Sequence, residues 1–133
     1  MYHEIVQNLY LGNQLSTTFS ESIGIDYIIS IGSRSKEQHI ENFHVGLIDD
    51  KTLDISDKLD VVTSLIDKLL NENKKISIHC KAGINRSPSF VLAYLCKYKN
   101  IPFDEVIAYI LVKRKICRFS FKNQVEEWLS LNN

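Results

Sequence analysis

Apolar and polar residues follow two different rhythms along this 133-residue chain. Short runs rich in β-branched and aromatic residues, at 9–11, 25–32 (IDYIISIG), 43–48 (FHVGLI) and 75–79 (KISIH), have the length and composition of strands. Gly12-Asn13 and Gly32 close the first two. Helical spacing takes over from Ile55 to Leu70, where Ile55, Leu59, Val62, Ile66, Leu69 and Leu70 recur on one face. Asp54 is a cap for that helix, and Asn71 and Asn73 are its stops. Further helices are expected at 15–23, stopped by Gly24, and at 87–99. Another follows Pro102, which suits a first turn, and runs to 113. A last one covers 121–131, with Phe121, Val125, Trp128 and Leu129 on one side. No repeat or linker interrupts this order, so residues 1–133 form a single domain. The expected class is α/β: a mostly parallel central sheet of four to five strands, covered by helices on both faces.

Ligands of such sheets gather at the carboxyl ends of strands. That directs attention to HCKAGINRS (79–87), between the strand at 75–79 and the helix after it. A cysteine ends the strand, five residues intervene, and an arginine opens the helix. Lys81, Ala82, Gly83, Ile84 and Asn85 can turn their N–H groups inward as an anion-binding nest. Gly83 permits the backbone angle such a nest requires. The helix start contributes its positive end, and Arg86 a planar fork for two phosphate oxygens. Pro88 in the first turn costs no helical hydrogen bond. A free thiol has a pKa of about 8.5, and helix starts and basic neighbours bring it to between about 3.5 and 7.5. Cys80 is therefore expected as a thiolate beneath the phosphate that the loop binds. Ser87 is placed to offer its hydroxyl to the sulfur. His79, on the buried strand, orients the loop rather than moving protons.

Composition narrows the picture. Sixteen basic residues balance sixteen acidic ones, which argues against bulk electrostatic binding of nucleic acid or of an anionic membrane. No apolar run approaches a membrane span, and the N-terminal stretch lacks the apolar core of a signal peptide. Three cysteines without an export signal fit reduced thiols in the cytoplasm or nucleus.

At residues 79–87 the chain resembles the cysteine-based protein phosphatases, whose signature is His-Cys, five residues, then Arg-Ser or Arg-Thr. It is most similar to the dual-specificity branch, including compact poxvirus-type enzymes. The resemblance extends over NLYLGN (8–13), IDYIISIG and GLIDDKTLDIS (46–56), which is similar to the family's general-acid loop. Classical tyrosine-specific members carry Gly-Arg-Thr-Gly where this chain has Asn85-Arg86-Ser87-Pro88, and a Trp-Pro-Asp loop absent here. The resemblance implies hydrolysis of phosphorylated proteins through a phosphocysteine on Cys80, without metal or cofactor. The short form implies a shallow pocket, open to phosphotyrosine and to phosphoserine or phosphothreonine.

Such a reaction needs a carboxylic acid to protonate the departing oxygen. The loop after the strand at 43–48 offers Asp49, Asp50 and Asp54. The resemblance points to Asp49, with Asp50 in reserve and Asp54 left as a helix cap. Two related readings stay open. Lys81-Ala82-Gly83 resembles the loop of lipid phosphatases, although Ile84 stands where those often place a second lysine, and Asn85-Arg86 resembles RNA 5′-triphosphatase loops. A third is a pseudophosphatase that binds phosphoproteins without turnover. Cys96 is expected in the core, Arg34 and Lys36 in a solvated loop, and Lys113, Arg114, Lys115 and Arg118 as a solvated basic patch. The stretch 116–124 departs from the family by lacking its Pro-Asn pair.

Overall fold

The computed structural model describes residues 2–35 and 39–131. Five strands, β1 (Tyr2–Val6), β2 (Leu9–Gly12), β3 (Tyr27–Ile31), β4 (Glu41–Val45) and β5 (Ile76–His79), form one sheet in the order β1-β2-β5-β3-β4. Four helices follow the strands or separate them: α1 (Ser56–Asn71), α2 (Arg86–Lys99), α3 (Phe103–Lys113) and α4 (Lys122–Leu131). Only β1 runs antiparallel to its neighbour; β2, β5, β3 and β4 are mutually parallel. The expected α/β class, with a mostly parallel five-stranded sheet, is observed, although the four α-helices pack with the core on one face of it.

Strand β5 is central, and all four of its residues are buried, because it is covered above and below. Leu9, Leu11, Ile29, Ile31, Ile76 and Ile78 share one face and join the main core beneath the helices. Helix α2 touches α1, α3 and α4, so Ser87 through Leu95 are all buried and its apolar residues run round it rather than along a stripe. The opposite face carries Tyr2, Tyr10, Ile28, Ser30, Ser77 and His79. A short 3-10 helix, Leu15–Phe19, lies on that side, its Phe19 ring 6.4 Å from Tyr2.

Five departures from the sequence pattern have local causes. The helix expected at 15–23 is only this 3-10 turn. Hydroxyls of Ser16, Thr17, Thr18 and Ser22 each take a carbonyl three residues back, which competes with α-helical pairing. The strand expected at 43–48 lies at Glu41–Val45 instead, and Leu47 has left the sheet while staying buried. Strand β1 was not foreseen, since only Ile5 of its five residues is buried and its edge is polar. Pro102 sits one residue before α3, at its N-cap, where its carbonyl accepts from Val106 N. Asp54 is not the cap expected for α1: the N-cap is Ile55, and the Asp54 carboxylate, one residue further out, accepts from the Ser56 N–H at 2.9 Å in a local turn.

Candidate active site

The segment 80–85 leaves the end of β5 and enters α2 at Arg86, and its shape follows from where its carbonyls go. Lys81 O accepts from Gln14 N at 3.0 Å, and Ala82 O and Gly83 O accept from Arg114 Nη2 and Nε at 3.4 and 3.0 Å. Ile84 O accepts from Arg118 N at 2.9 Å, and Asn85 O from Ser89 Oγ at 2.7 Å. Five successive carbonyls are held on the protein side. Across a trans peptide the next N–H points the opposite way, so the amides of 82–86 turn toward a common centre. Gly83 has φ +69°, and a Cβ there would come within 2.6 Å of both Gly12 O and Arg114 Nη2.

Cys80 Sγ sits at that centre, with its residue only 2% exposed. It accepts from Gly83 N at 3.1 Å and from Ser87 Oγ at 3.2 Å. Burial by itself pushes the thiol pKa up. The Ser87 hydroxyl and N–H, the Gly83 N–H and the Arg86 charge together outweigh that push, and the pKa falls below the ordinary thiol value. The other two cysteines behave oppositely: burial raises Cys96 and Cys117 to about 11. All three are free thiols. Of the three, only Cys80 has its ionisation eased by its surroundings.

Arg86 is held by its surroundings. Its Nη1 donates to Leu47 O at 3.0 Å, two residues beyond the end of β4. Gly32, at φ +82°, leaves room for this guanidinium, with which any Cβ at that position would collide. Arg86 Nε is buried and has no hydrogen-bond partner among the described residues. His79 is fully buried, its Nε2 lying 2.7 Å from Ser30 Oγ. Burial pushes its pKa down to about 4, with the charges of His44 and Arg86 acting the same way against a backbone hydrogen bond at Cys80. It is a neutral anchor at neutral pH.

A pocket of about 300 Å³ opens above the sulfur, lined by Asp49, Cys80, Ala82, Ile84, Asn85, Arg86 and Arg118. Asp49 Oδ2 accepts from Asn85 Nδ2 at 3.2 Å, which ties the carboxylate to the loop. Asp50 is engaged elsewhere. Its Oδ1 accepts from the Thr52 hydroxyl and N–H, which lower its pKa. Lys81 is exposed and is not among the residues that line the pocket.

Two residues read from sequence as a solvated basic patch belong to this site. Arg114 is 1% exposed and braces the loop from behind, and its Nη1 lies 2.9 Å from His3 Nδ1. Arg118 has an exposed side chain but forms part of the pocket wall. Lys113 and Lys115 are exposed as expected. Arg34 is exposed and outside the pocket, and Lys36 lies outside the described residues. Among the described residues no three His, Cys, Asp or Glu side chains gather as metal ligands, and no helix is long and apolar enough to cross a membrane.

A loop of inward amides around a low-pKa cysteine, between a buried strand and a helix, is the layout of a cysteine-based phosphatase, and known proteins agree. The family model described as the dual specificity phosphatase catalytic domain matches residues 9–130, and the chain belongs to that family. The 123R protein of Invertebrate iridescent virus 6 is 30% identical over 98% of this chain and 95% of its own length. The dual specificity protein phosphatase OPG106 of vaccinia virus (strain Copenhagen) is 33% identical, covering 81% of this chain and 66% of that protein. Against rat dual specificity protein phosphatase 5, also 30% identical, the chain spans 96% of itself and 35% of the relative. Among solved structures, the human tyrosine phosphatase-like serine/threonine/tyrosine-interacting protein superposes with a TM-score of 0.91 at 23% identity, covering 98% of this chain and 97% of that one. Human DUSP28 gives 0.90 at 15% identity, covering 99% and 95%. These two likenesses are of fold.

Proposed function

We propose that this chain is a protein phosphatase that hydrolyses phosphotyrosine and phosphoserine or phosphothreonine through a phosphocysteine on Cys80. One observation carries the reading: a buried sulfur whose pKa is lowered, at the floor of a pocket whose amides converge on it. The phosphoryl group docks on the inward N–H groups of the loop, those of residues 82–86, and on the fork of Arg86. The partnerless Arg86 Nε supports this, because a buried unsatisfied donor costs about 1–3 kcal/mol and a phosphate oxygen would relieve it.

In the first step the Sγ lone pair forms the S–P bond as the P–O bond to the substrate breaks. Asp49 gives its proton to that departing oxygen, so a neutral alcohol or phenol leaves. In the second step water attacks phosphorus, Asp49 takes back a proton, and the S–P bond breaks to release phosphate. The Ser87 hydroxyl stabilises the sulfur anion as it departs. His79 keeps the loop in register through Ser30. Asp49 rather than Asp50 is the acid in this scheme because Asp49 lines the pocket while Asp50 spends its carboxylate on a local turn. Exposed residues in the pocket wall, Asp49, Ala82 and Arg118, support a shallow site that admits short phosphoserine as well as long phosphotyrosine.

The test is phosphate release from phosphotyrosine and phosphoserine peptides, phosphoinositides and 5′-triphosphate RNA, comparing wild type with Cys80→Ser. Release from the peptides, abolished in the variant, is expected. Release from lipid or RNA alone would reject protein as the substrate. Tight phosphopeptide binding without turnover on any substrate would make the chain a pseudophosphatase.

A further inference from the structure

We propose that Gln124 is a positioning residue for proton delivery: from α4 it holds the stretch of chain that carries Asp49 over the pocket. The inference rests on the reading of Asp49 as the acid. The side chain of Gln124 reaches three backbone groups of one short segment. Its Nε2 donates to Lys51 O at 2.9 Å and to Leu53 O at 2.6 Å, and its Oε1 accepts from Ile55 N at 3.0 Å. These partners lie 69 to 73 residues away in sequence, so nothing local enforces the contact. A carboxamide is the side-chain group that presents two donors and an acceptor in one plane. Glutamate would keep the acceptor and lose both donors. Methionine would keep the length and lose all three bonds.

Buried Leu47 and Ile55 fix the two ends of this stretch, and between them little else holds it. Residues 51–54 are all exposed, so no burial of apolar side chains fixes them. Its other bonds are internal: Thr52 and Leu53 N–H groups to Asp50, and the Ser56 N–H to Asp54. Those shape the turns without attaching them to the body. Asn85 Nδ2 to Asp49 Oδ2, at 3.2 Å, is the tether on the pocket side. Gln124 is the tether on the far side, and it is well founded. Its neighbours Phe121, Val125 and Trp128 are buried, and Trp128 Nε1 donates to Asp60 Oδ1 at 2.9 Å, locking α4 against α1. Proton transfer demands a heavy-atom separation of roughly 2.6–3.2 Å. A misplacement of about 1 Å can cost on the order of 100-fold in rate.

The experiment compares wild type, Gln124→Met, Gln124→Glu, Asp49→Asn and the Asp49→Asn/Gln124→Met double variant. kcat/KM is measured on aryl phosphates from p-nitrophenyl to phenyl phosphate and on a phosphoserine peptide, alongside inhibition by inorganic vanadate and the thermal midpoint. Gln124→Met should lose activity progressively as the leaving group becomes more basic, by about 10- to 100-fold on the poorest. Vanadate affinity should not change, since the phosphate loop is untouched. The double variant should be no slower than Asp49→Asn alone, because both changes remove one function. Equal losses on every leaving group, a parallel loss of vanadate affinity, or full additivity would overturn the inference and leave Gln124 a structural residue. If Gln124→Met does not fold, Gln124→Glu carries the same test with the acceptor bond intact. Should Asp49→Asn itself be insensitive to the leaving group, the acid assignment falls first and this inference with it.

Discussion

The two loops that meet over Cys80 are built in opposite ways. The phosphate loop, 80–85, has each of its carbonyls from Lys81 to Asn85 bonded to a different part of the protein or to α2. Its glycine is wedged between Gly12 and Arg114, and the cysteine it encircles is buried. The acid loop, 49–54, is mostly exposed and hangs from two side-chain amides, those of Asn85 and Gln124. The difference follows from the chemistry each would perform. Stabilising a sulfur anion and a phosphoryl group requires dipoles that are already oriented, and orienting them during the reaction would forfeit the benefit. Delivering a proton to leaving groups of different length tolerates a carboxylate on a more lightly held segment. Under the proposed mechanism, binding would fall to the rigid half and protonation to the lightly held one.

That division is broken most strongly at Asp49. Asp49→Asn should lower kcat/KM on a phosphoserine peptide by about 100- to 10,000-fold, the range for a lost general acid. The loss on p-nitrophenyl phosphate, whose leaving group needs little protonation, should be far smaller. Asp50→Asn is the control and should change neither, since its carboxylate only closes the turn at Thr52. A leaving-group-dependent loss in Asp50→Asn instead would transfer the role.

A second prediction tests the rigid half through its anchor. The folded pKa of His79 lies near 4, against about 6.5 when exposed. The unfolded chain therefore binds an extra proton between these values, and stability should fall as pH drops from about 6.5 to 4. The contribution is about 3 kcal/mol as an upper figure. Urea titrations across that window should show wild type losing more than His79→Gln, which keeps a polar group toward Ser30 but takes up no proton. Identical pH slopes would mean that His79 is not held neutral.

How much of this was legible in the sequence depends on distance along the chain. The strand, the loop and the helix start occupy residues 76–88 without a break, so Cys80, Arg86, Ser87 and Gly83 could be read together with their geometry. Arg114 acts on Gly83 from 31 residues away. In a run of four basic residues nothing distinguishes the one that turns inward, and it was read as solvated. Gln124 is further still and carries no charge or motif to draw attention. Strand β1 was missed because an edge strand with one buried residue has no apolar alternation. The apolar run 43–48 misled in the other direction: Leu47 packs into the core although it lies beyond the end of β4, and its carbonyl accepts from Arg86. Local periodicity reports burial, and Leu47 is buried without belonging to the strand.

The finest test within the rigid half is Ser87→Ala, which removes one contact to the sulfur and leaves the Gly83 N–H in place. The Ser87 hydroxyl and N–H are, after burial itself, the largest influences on the Cys80 pKa, and both pull it down. Loss of the hydroxyl should therefore move the thiol upward toward its ordinary value. Because the thiolate is the reactive form, the acidic limb of the kcat/KM profile and of iodoacetate alkylation should both shift to higher pH. At high pH, where both proteins are fully ionised, formation of the phosphocysteine should be little changed. Its hydrolysis should still slow by about tenfold or more, since a hydrogen bond to a departing anion contributes about 1.5–3 kcal/mol. Single-turnover kinetics would then show the phosphoenzyme accumulating in Ser87→Ala and not in wild type. An unshifted alkylation profile with no accumulation would mean that the loop amides and Arg86 alone hold the sulfur as an anion, and that Ser87 is there to pack.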